Sequence, residues 1–199
     1  MPVEQIAGQY QASPQTFSDG STIAIQVDAQ GRLIVVASSG GGYTSPVTLT
    51  RTADTNAYLA GDVIGAATGS TAALTFANIG PSGGGEVFIT TVKLVVNISA
   101  IPSGMTSFVL YLYSATPPSA LGDNAPFNLP SGDRATYLQP VNLGSPVDLG
   151  DTLAVVTSQV NQQITIPSGG SLYGYLVTTG AFTPASATVF TITLKSVSI

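Results

Sequence analysis

Between Glu86 and Ile98 the chain reads EVFITTVKLVVNI, a run in which apolar and polar side chains alternate. A period of two suits a strand with one dry face and one wet face, and a helix of period 3.6 cannot satisfy it. The alternation predicts Phe88, Val92, Leu94, Val96 and Ile98 on the buried face, with Ile89, Thr91, Lys93 and Asn97 opposite. The same period returns at Leu74 and Phe76, at Phe108, Leu110 and Leu112, and at Phe190, Ile192 and Leu194. Val, Ile and Thr together supply 56 of the 199 residues, against two Glu and two Lys, so strand formers far outnumber the residues that build surface helices. With 22 Gly and 13 Pro spread along the chain, the expected class is all-β, many short strands joined by turns.

Strands are predicted near 46–51, 74–76, 86–98, 108–112, 135–138, 152–157, 163–166, 172–178 and 188–197, with Arg51 to Tyr58 a polar connection. The two longest lie far apart in sequence, which fits a jelly-roll-like antiparallel β-sandwich, where distant strands pair, better than an up-and-down barrel of even strands. Ahead of this body the chain has a different character. Residues 1–20 show no period and read as an extended arm. A β-hairpin follows, with Ile23, Ile25 and Val27 alternating before the turn at Asp28-Ala29-Gln30-Gly31 and Leu33 and Val35 after it. An isolated hairpin is marginal in water and must dock on something. ASSGGGYTS, residues 37–45, reads as a linker because consecutive glycines give the backbone maximal freedom. The division is therefore 1–45 for arm, hairpin and linker and 46–199 for the sandwich, with its compact part from about 57.

The chain contains no His and no Cys. That removes zinc fingers, thiolate clusters, disulfides, cysteine nucleophiles and imidazole bases. Charged side chains make up 8% of the chain and the net charge is −5, with five basic residues placed singly at Arg32, Arg51, Lys93, Arg134 and Lys195. Nucleic-acid binding needs clustered cations, so no nucleic-acid partner is expected. The richest apolar run, 92–101, is interrupted by Lys93 and Asn97 and falls short of a spanning helix, and the first residues have no basic n-region or apolar h-region. We therefore expect a protein made in the cytoplasm, with no membrane partner.

Carboxylates remain as candidate chemistry. Of ten acidic residues only Glu86 falls within a predicted strand, and Asp in turns ordinarily serves turn geometry, so a glycosidase-like pair is not expected. The excursion from Ala115 to Arg134 is long for a passive loop and is read as a functional or interface loop. It holds Asp123, Asn124 and Asp133, oxygen donors for a hard cation, but without EF-hand spacing; turns and caps explain them better, and no metal or cofactor is assigned. The glycine runs at 40–42, 83–85 and 169–170 lack a following Lys-Ser or Lys-Thr and read as turns or linker. Tyr111, Tyr113, Tyr173 and Tyr175 are predicted to point outward, as a subunit interface, a second core layer or a ligand platform.

The segment FSDGSTIAIQVDAQGRLIVV, residues 17–36, resembles a motif near the N-termini of tailed-bacteriophage virion proteins: Asp-Gly, alternating apolars, then Q-x-D-x-x-G-x-L-x-V. Asp19, Gly20, Gln26, Asp28, Gly31, Leu33 and Val35 carry it. The body from Leu74 to Val156, with LTFANIGPSGGGEVFITTVKL and NLGSPVDLGDTLAV, is likewise similar to phage and prophage structural proteins. The resemblance implies a non-enzymatic virion component, a capsid decoration or head-fibre subunit, forming a homotrimer. Its partners would be copies of itself and the major capsid protein or another virion protein. Asp19, Gly20, Ile23, Ile25, Val27, Asp28, Gly31, Leu33 and Val35 would carry the anchoring contact. Two other readings are a tail, neck or baseplate subunit touching host glycans, and a stand-alone carbohydrate-binding sandwich.

Overall fold

A computed structural model describes residues 41–66, 71–150 and 154–199, with the side chains of 154–158 outside the description. Gly40–Ile199 form one compact unit. The expected arm, hairpin and anchoring residues lie outside the described residues.

Ten strands carry the described fold: β1 (Gly42–Thr50), β2 (Val63–Ile64), β3 (Leu74–Phe76), β4 (Gly85–Asn97), β5 (Phe108–Tyr113), β6 (Tyr137–Leu143), β7 (Val147–Asp148), β8 (Ala154–Ile166), β9 (Leu172–Thr178) and β10 (Val189–Ser198). A short 3-10 turn, Ser131–Asp133, precedes β6. One antiparallel sheet has the order β1-β10-β4-β8-β7; the other has β2-β9-β5-β6, with β3 also paired to β9. The ladders nest: β1 pairs β10, β3 pairs β9, β4 pairs β8 and β5 pairs β6. First with last, working inward, is one long antiparallel ribbon rolled into two sheets. That is a jelly roll.

Alternation puts Val92, Leu94 and Val96 of β4, Phe190, Ile192 and Leu194 of β10, and Phe108, Leu110 and Leu112 of β5 into the space between the sheets, all essentially dry. Gly174 of β9 makes room there, because a Cβ would press on the Tyr111 carbonyl and on Leu110.

Three local expectations are corrected. β4 does not keep one phase. Val87 and Ile89 are buried and Phe88 faces outward, whereas beyond Thr91 the buried residues are Val92, Leu94 and Val96. The ladders to β8 and β10 both slip at this point, so Thr90 is the extra residue of a bulge and everything before it is turned over. The two strands expected at 152–157 and 163–166 are one strand, β8, bent opposite that bulge, with Asn161 at φ +47°. The run expected as linker already belongs to the sheet from Gly42: β1 pairs along its whole length with β10, from Gly42↔Val197 to Thr50↔Val189.

The turn between β4 and β5 depends on Gly104, whose φ is +88° and whose missing Cβ would overlap the Ala181 carbonyl oxygen. Gly104→Ala should destabilise the protein by about 2 kcal/mol through left-handed strain plus that clash. Urea unfolding of the variant checks this.

Candidate functional site

The residue after β1 is Arg51, and its side chain is fully buried. Its Nε donates to the Tyr58 hydroxyl at 2.5 Å, and that hydroxyl donates to Asp123 Oδ1 at 2.5 Å. One terminal guanidinium nitrogen closes the ring on Asp123 Oδ2 at 3.2 Å and also reaches Asp54 Oδ1 at 3.1 Å. The Gly65 amide donates to Asp123 Oδ1 at 2.8 Å. The guanidinium carbon lies 4.7 Å from the centre of the Tyr58 ring, and that ring packs on Phe182. A Cβ on Gly65 would crowd the Asp123 backbone and Ala72, so only glycine lets the chain come this close.

Burial works against the guanidinium charge, but attraction to Tyr58 and Asp123, with hydrogen bonds to both, outweighs it and raises the Arg51 pKa. For Tyr58, burial and its hydrogen bond to Asp123 push the phenol well above the ordinary tyrosine value. The buried polar groups of Arg51, Tyr58 and Asp123 are bonded to one another, and the partly exposed Asp54 and the Gly65 amide complete the set. The arrangement holds chain segments together.

Asp123 brings the long excursion into the fold. Around it the chain hydrogen-bonds with the segment leading from β1 to β3: the Val63 amide donates to the Ala125 carbonyl, the Asn124 amide to Val63, the Phe127 amide to Gly61 and the Ala72 amide to Leu121. Leu121, Phe127 and Leu129 are thereby laid on the outer face of β5 and β9. Phe127 stacks on Tyr111 with ring centres 3.9 Å apart, Tyr113 meets Tyr175 and Tyr137 edge-on, and the Leu121 amide donates to the Tyr175 hydroxyl.

This corrects the reading of the four tyrosines as an outward interface. Tyr113 and Tyr175 are fully buried, and Tyr111 and Tyr173 are half-buried, in a second core layer with Val63 and Val177. Their positions on the outer face are as the period predicts; the chain's own excursion covers them. Burial, with nearby Asp133, pushes the Tyr113 phenol upward, and burial raises that of Tyr137.

The oxygen donors of the excursion have separate partners. Asp133 is buried and accepts from the Ser119 amide at 3.0 Å and from the Ser119 hydroxyl at 2.5 Å. Asn124 sits in the left-handed region at φ +60°, and its amide donates to Val63. Among the described residues no three His, Cys, Asp or Glu side chains come together. Glu86 is partly exposed and accepts from Thr165 at 2.5 Å and Gln163 at 3.1 Å, and those bonds hold its carboxyl below the usual range. A cleft of about 310 Å³ between the 97–102 and 185–189 turns is lined by Asn97, Ser99, Ser186 and Thr188 with small apolar residues, and offers no titratable group. Arg51 and Tyr58 were missed from the sequence, where Arg51 to Tyr58 reads as a polar connection. The one available signal was a lone Arg at the end of a strand in a chain with very few cations.

No protein-family model matches the chain. No curated protein matches it either. Among solved structures it is similar to a chain of the Israeli acute paralysis virus full particle heated to 63 degrees, with a TM-score of 0.30 and 13% identity over 94% of this chain and 83% of that one. A superposition that loose carries no argument, and the jelly-roll assignment rests on the strand pairing alone.

Two outcomes follow. Arg51→Met or Asp123→Ala leaves a buried charge without its partner and should each cost about 3–5 kcal/mol in chemical unfolding, with the pair Arg51→Met/Asp123→Leu costing less than the sum. Tyr58 and Tyr113 have folded pKa values above the unfolded value of about 10, so their contribution is complete below that pH and is lost as pH rises beyond it. The melting temperature should fall above about pH 10, and Tyr58→Phe should reduce the steepness of that fall in calorimetry.

Proposed function

We propose that this chain is a non-enzymatic structural subunit of a virion, a capsid decoration or head-fibre protein anchored through residues 1–36 and displaying the jelly roll. The observation that carries the reading is a jelly roll whose described carboxylates are engaged in structural hydrogen bonds: Asp54 and Asp123 on Arg51, Asp62 on the Leu59 amide, Glu86 on Thr165, Asp133 on Ser119 and Asp148 on the Gly150 amide. Viral capsid domains, lectins and cupins share this architecture, and a cupin's histidine-rich metal centre cannot be built from a chain without His. Placement in a virion is an analogy at the level of fold, joined to the resemblance of residues 17–36 and 74–156. Covering of the tyrosine face by Phe127 and Leu121 removes one of the two surfaces on which the glycan-contact reading relied, and the other is the 115–134 loop that does the covering.

Function in this reading is burial of surface against copies of itself and a shell protein, with strand addition at exposed edges as the anchoring mode. Deleting residues 1–36 should abolish incorporation into particles while the remaining body keeps a cooperative melt. Quantifying the chain in purified virions checks this. Incorporation of the truncated chain at the full-length level would sink the anchoring reading.

A further inference from the structure

The two outer sheet faces are treated differently. The chain's own excursion covers β5 and β9, whereas the outer face of β10 and β4 has no covering segment among the described residues. The bulge at Thr90 turns Glu86 and Phe88 onto this face together with Lys93. On β10, Lys195 and Val197 face the same way, since Leu194 and Ser196 between and beside them are buried. Register sets the pattern. Val197 lies opposite Phe88, Lys195 opposite Thr91, and Lys93 opposite Thr193.

Along the strands the order is therefore acid, apolar pair, cations. Glu86 lies about 7 Å to one side of the Phe88–Val197 pair and Lys195 about 7 Å to the other, with Lys93 one step further. Val197 is 37% exposed and Ile199, whose amide bonds to the Glu86 carbonyl, is 63% exposed, so the apolar centre continues beside the acid. Neither lysine has an ion pair among the described residues, where Arg51 accounts for every salt bridge. In a chain of net charge −5, two neighbouring uncompensated cations on one face are conspicuous.

Such a strip is complementary to itself when reversed. A two-fold axis lying in the plane of contact, across the strands at the Phe88–Val197 pair, stacks apolar centre on apolar centre. The same operation sets Glu86 of each copy against Lys195 and Lys93 of the other, as an isologous interface requires. We infer that the outer face of β4 and β10 is a self-association surface on which a second copy of this chain docks about a two-fold axis. The inference rests on the structural-subunit reading and replaces the trimer implied by the resemblance with an even-numbered assembly.

The test uses the full-length chain in sedimentation equilibrium at low and high salt. The expected result is a dimer, or an even multiple, that weakens as salt screens the ion pairs. Lys93→Glu/Lys195→Glu should weaken association at least tenfold, and Glu86→Lys should do likewise. Combining all three substitutions reverses both ends of the strip and should restore association towards the unsubstituted level. Phe88→Ser/Val197→Ser tests the centre and should also dissociate the pair, with unchanged melting of the protomer as the folding control. A chain that stays monomeric, one that forms trimers, or a pair indifferent to these substitutions would overturn the interface. Incorporation of the Lys93→Glu/Lys195→Glu chain into virions, measured alongside, reads the virion role separately.

Discussion

A guanidinium removed from water must find every one of its partners or the charge is not tolerated, at a cost of several kcal/mol. Arg51 is such a group, and its partners come from two segments that lie between strands. Tyr58 and Asp54 lie between β1 and β2, and Asp123 lies in the excursion between β5 and β6. The bonds can form together only when both segments are in place. A single cation thus couples the end of the first strand to the closure of the outer layer seventy residues later in the chain. The tyrosine layer follows from it, because the excursion that Asp123 fastens is the one that lays Phe127 and Leu121 over β5 and β9.

The two sheets consequently have different status. The excursion covers the outer side of the sheet of β9 and β5, leaving Tyr113 and Tyr175 fully buried and Tyr111 and Tyr173 half-buried. The sheet of β10 and β4 has one dry face and one open face rich in threonine, with a short strip of acid, apolar and cationic side chains across it. The described carboxylates are bonded to amides, hydroxyls or Arg51.

Much of the fold was legible in the sequence. β3, β5, β9 and β10 were found within a residue or two because each keeps one phase of the period of two along its own length. The phase of β4 was not legible. One inserted residue, Thr90, reverses which side chains are dry, and VFITTV reads equally well in either phase until its partners β8 and β10 are known. For the same reason β8 appeared as two strands, since its polar middle, SQVNQ, crosses the bulge.

The sequence by itself determined the class and the exclusions. Period-two alternation with abundant β-branched residues leaves little but a sandwich, and the absence of His and Cys is a fact of composition that no packing can alter. Only the tertiary structure decided what covers what. Whether Tyr175 meets solvent or Phe127, and whether Arg51 is a surface cation or the centre of a buried network, depends on residues tens of positions away. Local patterning states that a side chain leaves the sheet on a given side; long-range contact alone states what is waiting there.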